Sequence, residues 1–467
     1  MNKEFSKVLA YFKTLTTIPR GSENREGIRD YLCSFAKEHG LTYRTDSADN
    51  VVIHKPASPA YADKAPVILQ GHTDMVCALA EGYTFDFLHE SLHLEQHGDF
   101  LSAQGTTLGG DDGIAVAMML ALLESESELP ALECIFTSDE EIGMIGADAL
   151  DMSDIRGKYL INIDSEDEGV LTVSCAGGST AVAHIPYTSE AVSGYAYEIC
   201  IGGLTGGHSG TEIIKGGYNA CKLLARVVEK LENYRLVSIG GGEKENAIAV
   251  AAKMRVVLPA PFDFAPLLAE IENACKGKEP AIVCGSTALG ESEWQAMTSE
   301  STRAVANALT AFPQGIVKMS AFDESAVQTS LNLGVLEQTD TEIVFTFCVR
   351  SSVTADREAL EEQLRCITAQ NGGTLVLSGI YPGWEYKEDS VLRERAVQVY
   401  EKLYGATPKI EAIHAGLECG VLLSKKPTLD CISLGPQMYD VHTPRERLSI
   451  SSAERTWAYL LALIKAL

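Results

Sequence analysis

Four short segments of the chain carry histidine, aspartate or glutamate where the pattern predicts strands to end. In open α/β sheets, ligands bind beyond the carboxyl ends of the strands. Carboxylates and imidazoles collected there can hold hard or borderline divalent cations. We therefore expect metal chemistry at one edge of a sheet. The segments are Gly71–Asp74, Gly109–Gly113, Asp139–Glu141 and Asn162–Asp164.

His72 and Asp74 are the first candidate pair. Two residues apart on an extended strand, their side chains point to the same side. His72 can bind a metal through one ring nitrogen while Asp74 fixes the other, an arrangement found in many zinc sites. A loop histidine beside a solvated aspartate would give the same pattern, so the pair alone leaves both interpretations open.

The glycine-rich segment Gly105–Gly113 contains two adjacent carboxylates, Asp111 and Asp112. Its glycines permit close or unusual backbone geometry. Two neighbouring residues on a regular strand cannot both face one small site, so one aspartate is the ligand and the other a neighbour. An acidic turn is the alternative interpretation of this segment.

Glu140 and Glu141 follow an apolar strand as a pair. Adjacent glutamates suit a hydrolytic metal site, in which one binds the metal and the other handles a proton, although an acidic run is also typical of a solvated turn. Asp164 closes the apolar segment YLINID, which favours a functional role. His442 lies far along the chain, and by itself it is one of ten histidines.

Alternating strand and helix patterns surround these segments in the first third of the chain. Pro66–Gln70, Ala131–Thr137 and Tyr159–Asp164 are predicted strands, and Gly113–Glu124 is a predicted buried helix. This alternation favours an α/β fold with a mostly parallel sheet flanked by helices.

The middle third changes to strand–helix units with longer links, which indicates an α+β insert. We expect a helix over Thr211–Leu231, a strand over Glu342–Val349 and a helix from about Asp356 to Gln370. Ser451 and Glu454 form a capping-box pattern that opens a final helix. The predicted boundaries are 1–178 and 381–467 for the α/β domain and 179–380 for the insert.

Composition limits the classes of partner. The 467 residues are 46% hydrophobic and 22% charged, which is the ordinary globular range. The net charge of −26 argues against nucleic acid and against an anionic membrane surface as partners. No apolar run approaches the roughly 18–20 residues of a membrane span. Scattered cysteines without a CxxC pair, and an amphipathic start in place of a signal peptide, predict a cytoplasmic protein.

Taken together, the motifs resemble those of the cytosolic aminoacyl-histidine dipeptidases, the Xaa-His dipeptidase or carnosinase-like group of the two-zinc exopeptidases. The resemblance runs over essentially the whole chain, and the joint order and spacing of the motifs carry it. They are IPRGS, GHTDMV, GTTLGGDDGIA, TSDEEIGMIGA, LINIDSEDEG, GGHSG, HAGLECG and HTPRERL.

The resemblance implies two divalent metal ions, with Zn²⁺ favoured over Mn²⁺ or Co²⁺. His72 and Asp164 are then expected to hold one ion, Glu141 and His442 the other, and Asp111 to bridge both.

The resemblance also implies two supporting roles. Asp74 is expected behind His72, and Glu140 is expected as the general acid and base. The peptide bond after Asp111 is expected to be cis. The implied fold is a catalytic α/β domain interrupted by a lid domain.

Substrate contacts are expected from four further residues. The resemblance makes His208 the candidate that stabilises the oxyanion. Arg350 could clamp the substrate carboxylate in bidentate fashion, Asn246 could assist it, and Glu418 could meet the free amine. Each also has an alternative interpretation as a plain surface residue; for His208 this is a position at a helix start beside a capping Ser209, which the sequence alone favours.

The implied activity is hydrolysis of a small peptide, namely Xaa-His and other unblocked dipeptides, by water activated between two metals. N-acyl amino acid deacylases and tripeptidases share the same metal residues and remain alternatives. A non-catalytic metal-binding protein is a rival that predicts loss of Glu140 or a ligand, and none is lost. Nucleotide binding is disfavoured because neither GxGxxG nor a GKS/GKT loop is found. A homodimer is expected from the resemblance.

Overall fold

The computed structural model describes residues 3–467, which form two compact units. Unit 1 comprises the described part of Met1–Ser174 together with Tyr386–Ala412 and Leu417–Leu467. Unit 2 comprises Cys175–Glu385 and Ile413–Gly416. The sequence pattern predicts an insert over 179–380, whereas unit 2 spans a slightly longer segment, 175–385. Unit 2 also includes the four residues 413–416, which the sequence pattern assigned to the α/β domain.

The strands of unit 1 are β1 Thr42–Thr45, β2 Val51–Lys55, β3 Val67–His72, β4 Leu94–His97, β5 Phe100–Ala103, β6 Leu132–Thr137, β7 Tyr159–Asn162, β8 Val170–Cys175, β18 Lys409–Ile413, β19 Asp430–Ser433, β20 Met438–Tyr439 and β21 Arg447–Ser449. They form an eight-stranded sheet in the order β1-β2-β6-β3-β7-β19-β8-β18 and a small sheet in the order β20-β21-β5-β4. Its helices are α1 Lys3–Leu15, α2 Glu26–Glu38, α3 Gly110–Glu124, α4 Ile145–Ala149, α9 Val391–Tyr404, α10 Glu418–Lys425 and α11 Ile450–Ala466, with a 3₁₀ turn at Pro59–Tyr61.

The predicted parallel pairing is found in the centre of this sheet. β3 pairs in parallel with β6 and β7, and β7 pairs in parallel with β19. The flanking strands β1, β2 and β8 pair antiparallel, so the sheet is mixed at its margins. The predicted α/β class is confirmed.

Helix α3 is the buried helix that the sequence predicts. Every residue from 112 to 123 is buried, and the helix contacts β3 and α1. α1 supplies Phe5, Val8, Phe12 and Leu15 from one face, since a spacing of three and four residues puts them on one stripe. This packing fixes the start of α3 at the edge of the sheet where β3 ends.

Unit 2 is built on an antiparallel sheet in the order β13-β10-β12-β11-β15-β16-β9-β17, with β14 paired to β15. An apolar core of buried strand and helix residues, Phe345 and Phe347 among them, stabilises this unit. Its strands are β9 Gly177–Pro186, β10 Ser189–Gly202, β11 Arg235–Gly241, β12 Ala252–Leu258, β13 Val283–Met297, β14 Gly315–Met319, β15 Val327–Gln338, β16 Glu342–Ser351 and β17 Thr374–Tyr381. Its helices are α5 Ala220–Val228, α6 Ala265–Cys275, α7 Ser299–Ala311 and α8 Thr354–Gln370, with a 3₁₀ turn at Ile213–Lys215.

Two local predictions are wrong. The helix predicted over Thr211–Leu231 is interrupted, because Gly216 adopts a left-handed φ of 64° and Asn219 caps a new helix by accepting from two backbone N–H groups. The final helix is capped by Ser449, whose side chain accepts from the N–H of Ser452. Ser451 instead donates its N–H to Asp99.

Among residues 3–467, no helix combines the length and apolar character needed to cross a membrane.

The packing of α3 predicts a large cost for shortening its side chains. Leu120 is fully buried, so Leu120→Ala should lower the free energy of unfolding of unit 1 by about 2–5 kcal/mol, as buried leucine truncations do. Urea denaturation followed by far-ultraviolet circular dichroism measures the change. Leu88→Ala is the matched control, because Leu88 is 63% exposed and its loss should change stability by no more than about 0.5 kcal/mol.

Candidate active site

The parallel strands of unit 1 bring three predicted segments to one edge. β6, β3 and β7 are neighbours, and His72 at the end of β3 stands opposite Thr137 at the end of β6. Gln70 pairs with Asn162 of β7, so Asp164 follows beyond the same edge. The hydrogen-bond register thereby places segments that are far apart in sequence side by side.

His72 is held between carboxylates on both of its ring nitrogens. Nε2 lies 2.9 Å from Oδ1 of Asp111 and 3.6 Å from Oδ1 of Asp164. Nδ1 lies 3.2 Å from the main-chain oxygen of Asp74 and 3.5 Å from its Oδ1. Asp74 therefore anchors one side of the ring, and Nε2 is turned toward the carboxylates that the sequence predicts as ligands.

His442 forms a second group around the other oxygen of the same aspartate. Its Nε2 lies 3.1 Å from Oδ2 of Asp111 and 3.1 Å from Oε2 of Glu141. Asp111 thus offers one carboxylate oxygen to each imidazole. The structure brings together all five residues that were predicted as metal ligands.

Asp74 also organises the segment that carries the two glutamates. Its Oδ1 accepts the N–H of Glu140 at 2.9 Å, and its Oδ2 accepts the N–H of Glu141 at 3.3 Å. The hydroxyl of Ser22 donates to Oδ2 at 2.7 Å. One buried carboxylate therefore orients His72 and fixes the backbone of Glu140 and Glu141.

The carboxylates of the two adjacent aspartates, Asp111 and Asp112, contact different partners. The Asp111–Asp112 peptide bond is cis, as the resemblance implied. Asp112 is fully buried, and its Oδ2 accepts the backbone N–H of His72 at 3.2 Å, whereas the carboxylate of Asp111 faces the imidazoles. The two residues therefore cannot substitute for each other.

Arg20 is a buried residue of this site to which sequence reasoning gave no role. Its Nη1 donates to the carbonyl oxygens of Thr73 at 3.0 Å and Asp74 at 3.2 Å, and its Nη2 donates to that of Gly109. Gly109 has φ 65°, and a Cβ there would lie 2.5 Å from Nη2. Arg20 stands inside the IPRGS motif, but a single arginine in a loop is usually solvated, so its type gave no signal. Glu446 lies within the HTPRERL motif and also received no role, because a single charged residue in a loop is usually solvated.

The electrostatics reflect an excess of carboxylates over imidazoles. Burial lowers the pKa of His72, but hydrogen bonds with Asp111, Asp164 and Asp74 outweigh burial and raise this pKa well above its ordinary value. Hydrogen bonds with Asp111 and Glu141 raise the pKa of His442 to about 11.

The carboxyl groups of the cluster diverge in the same field. Burial raises the pKa of Asp111, but the two imidazoles outweigh burial and hold it below its ordinary value. Burial, which the neighbouring His72 only partly offsets, raises the pKa of Asp164 to about 6. Burial, with Asp164, Glu418 and Glu141 nearby, raises the pKa of Glu140 well above the ordinary range. Added positive charge would relieve this crowding.

The donor set fits two divalent cations. One oxygen or nitrogen from each of His72, Asp111 and Asp164 lies within 4.8 Å of the others, and the same holds for Asp111, Glu141 and His442. Oε1 of Glu141 is buried and has no hydrogen-bond partner among the described residues. Imidazole and carboxylate donors are ligands that zinc and similar cations accept. A third combination, formed by His72, Glu140 and Glu141, meets the same distance limit.

Glu418, which is predicted to meet the free amine, lies at the start of α10. It is fully buried, its Oε2 accepts from Thr137 at 2.8 Å and from the side-chain amide of Gln70, and burial raises its pKa to about 7. The Nδ2 of Asn162 donates to Gln70 at 2.7 Å. Glu418 therefore belongs to a polar layer beneath the strand ends, and burial is what the sequence could not reveal.

The other predicted substrate contacts lie in unit 2. Arg350, on β16, is 8% exposed, and its Nη1 donates to the hydroxyl of Tyr381 at 3.1 Å. Burial and the nearby Arg350 lower the pKa of His208. His208 forms a bridge with Ala247, and the N–H of Ser209 donates to the carbonyl of Asn246 at 2.8 Å. Unit 2 therefore brings His208, Asn246 and Arg350 into one neighbourhood.

His414 is a fourth member of this neighbourhood that was not predicted. Its Nε2 lies 2.7 Å from the hydroxyl of Ser330, and burial, with Arg350 nearby, lowers its pKa to about 4. It stands in the HAGLECG motif, where Glu418 was singled out instead. A histidine in a loop gives no signal of such a contact, because Ser330 lies on a distant strand.

Two similar proteins match nearly the whole length of this chain. A cytosol non-specific dipeptidase from Escherichia coli strain K12 is 34% identical over 469 residues, which cover 97% of this chain and 96% of that protein. The crystal structure of an aminoacylhistidine dipeptidase from Vibrio alginolyticus is 33% identical, covers 99% of this chain and 96% of its own, and superposes with a TM-score of 0.93.

More distant structures share the fold alone. The crystal structure of aminopeptidase PepT from Bacillus cereus is 16% identical, with a TM-score of 0.57 over 99% of this chain and 98% of its own. The model of peptidase family M20/M25/M40 matches residues 68–466, a range that includes all five predicted metal ligands. The chain belongs to peptidase family M20/M25/M40.

Proposed function

We propose that this chain is a dinuclear, metal-dependent dipeptidase that hydrolyses Xaa-His and other unblocked dipeptides. The observation that carries the proposal is the carboxylate of Asp111, which lies within 3.1 Å of both His72 and His442. Asp164 and Glu141 complete the two groups. The names of the relatives from Escherichia coli and Vibrio alginolyticus support dipeptides as the substrate class.

The proposed ligands are His72, Asp111 and Asp164 for one ion and Asp111, Glu141 and His442 for the other. Zn²⁺ suits this set of nitrogen and oxygen donors, and Mn²⁺ or Co²⁺ suits it in part. When bound, such ions supply Lewis acidity and a water that is acidic near neutral pH.

The protein's own contribution to the chemical step is assigned to Glu140. Asp74 accepts the backbone N–H groups of Glu140 and Glu141, so the main chain that carries both side chains is held in place. In the proposed reaction, the carboxylate of Glu140 accepts a proton from the attacking water. It then delivers that proton to the nitrogen of the departing amine.

Recognition of the substrate's carboxylate is assigned to Arg350, with Asn246 assisting. Nε of Arg350 is buried and has no hydrogen-bond partner among the described residues, so its N–H can donate to a substrate carboxylate. His208 is proposed to donate to the oxyanion, and its lowered pKa keeps the ring neutral near pH 7.

The setting of the protein is proposed on its composition and relatives. The charge of −26 disfavours nucleic acid and anionic membranes as partners. The word "cytosol" in the name of the relative from Escherichia coli supports a cytoplasmic location. A homodimer remains a proposal, tested by sedimentation equilibrium.

A substrate panel tests the proposed reaction. The protein reconstituted with Zn²⁺ should hydrolyse Ala-His faster than tripeptides or N-acetyl amino acids. Amidation of Ala-His removes the carboxylate and should raise KM roughly 10–100-fold, since a charge-assisted hydrogen bond contributes about 1.5–3 kcal/mol. Arg350→Met should raise KM for Ala-His by a similar factor and leave the amide unaffected. Faster turnover of N-acetyl amino acids or tripeptides would replace the proposal with a deacylase or a tripeptidase.

Asp111→Ala should weaken both metal sites, because the carboxylate is shared. Mass spectrometry of metal content after dialysis against defined free Zn²⁺ measures the stoichiometry. Asp63→Asn is the control, because Asp63 is exposed and belongs to neither group. Retention of two ions by Asp111→Ala would refute the bridging assignment.

Glu140 and Glu141 are adjacent but are assigned different roles. Glu141→Gln should lose one ion together with activity. Glu140→Gln should keep both ions while kcat falls roughly 10²–10⁴-fold, the typical contribution of a general acid or base. Metal content and steady-state kinetics on both variants decide the question. If Glu140→Gln loses a metal, then the third donor combination, with Glu140 beside His72, is the one in use.

A further inference from the structure

A single buried carboxylate joins the loop of Asp111 to the segment of His442. Oε2 of Glu446 accepts the backbone N–H groups of Leu108 at 2.7 Å and Gly109 at 3.0 Å. Oε1 accepts those of Gly110 at 2.7 Å and Asp111 at 3.3 Å. Four successive N–H groups thus converge on one side chain that is 2% exposed.

The four backbone N–H groups of residues 108–111 favour an anion, which explains why a carboxylate lies among them. Successive N–H groups that point inward form a concavity for an anion, and the first N–H groups of a helix lack partners within the helix. Leu108 and Gly109 precede α3, and Gly110 and Asp111 are its first two residues, of which Asp111 has a non-helical backbone. The side chain therefore satisfies donors that would otherwise be buried without partners.

Glu446 connects two segments that are distant in sequence. It lies four residues after His442, and its own N–H donates to the carbonyl of Thr443 at 3.0 Å. The segment whose N–H groups bind Glu446 ends in Asp111, and Oδ2 of Asp111 contacts His442. The group of Asp111, Glu141 and His442 draws its members from three loops, and Glu446 ties two of these loops together.

The other group has separate support. His72 ends β3, and Asp164 follows β7 by two residues, so the sheet itself fixes two of the three members of this group, and only the shared Asp111 depends on Glu446. Loss of the link through Glu446 should therefore disturb the group with His442 more than the group with His72.

We propose that Glu446 is a positioning residue that sets the geometry of the metal site formed by Asp111, Glu141 and His442. It acts through the backbone of residues 108–111 and touches neither metal nor substrate. The inference rests on the metal ligands proposed above.

Glu446→Gln tests the proposal with little change of shape. One carboxylate oxygen becomes an NH₂ group, which would face two N–H donors and accept neither. We expect one of the two Zn²⁺ ions to bind roughly 10–100-fold more weakly, the typical effect of losing a residue that orients a ligand. Calorimetric titration of the metal-free protein measures both affinities.

Glu133→Gln is the matched control. Glu133 is also a buried carboxylate of unit 1 that accepts backbone N–H groups, those of Arg156 at 3.0 Å and Gly157 at 2.8 Å. It stands near the start of β6, away from the strand end that leads to the site. Glu133→Gln should cost similar stability and leave both metal affinities unchanged.

The spectrum of bound Co²⁺ identifies the weakened site. The ion retained by Glu446→Gln should give the absorption spectrum of the ion retained by His442→Ala, not that of Asp164→Ala. If Glu446→Gln folds poorly, Glu446→Asp provides the same test, because it keeps the charge but is shorter by one methylene and cannot reach all four amides.

The outcomes separate this inference from the proposed function. If the parent protein fails to bind two ions, the proposed function itself is overturned. If the parent binds two ions and a folded Glu446 variant binds both with parental affinity, only the positioning role is overturned. An equal effect of Glu133→Gln on metal affinity would also overturn it, since the change would then reflect general stability.

Discussion

More carboxyl groups than imidazoles crowd the edge of the unit 1 sheet, and this imbalance is the constraint on which the site depends. Asp111 lies between the two imidazoles, with Asp164 beside one and Glu141 beside the other. Buried charges of one sign repel each other strongly because the surroundings screen them poorly. Bound cations would balance the negative charge of the cluster. This charge balance is the electrostatic argument for metal ions at the site.

A shell of backbone hydrogen bonds holds this strained set of charges in place. Asp74 accepts the N–H groups of Glu140 and Glu141, Asp112 accepts that of His72, and Glu446 accepts those of the loop before Asp111. Arg20 binds three carbonyl oxygens of the same loops. The residues that face the proposed ions are thus fixed by residues that do not, which is how a site made of loops can keep a defined geometry.

The two units divide the predicted contacts between them. Unit 1 contains every predicted metal ligand together with Asp74 and Glu140, on the edge of a sheet whose central strands are parallel. Unit 2 contains His208, Asn246 and Arg350 on an antiparallel sheet with its own apolar core. The parallel sheet gathers side chains from many segments at its strand ends, whereas β16 of unit 2 presents Arg350 directly from a strand.

The sequence by itself determined strands β3, β6 and β7, the buried helix α3 and the identity of the residues that could bind metal, because periodicity and residue type are local properties. It could not determine that Glu418 is buried beneath the site, that Ser449 caps the last helix, or that Gly216 interrupts a predicted helix. It also gave no role to Arg20 or Glu446. These outcomes depend on which distant groups meet a side chain: a glutamate in a loop is solvated unless the fold brings four backbone amides to it. Only the tertiary structure makes that contact, so only the structure separates a surface charge from one that organises the site.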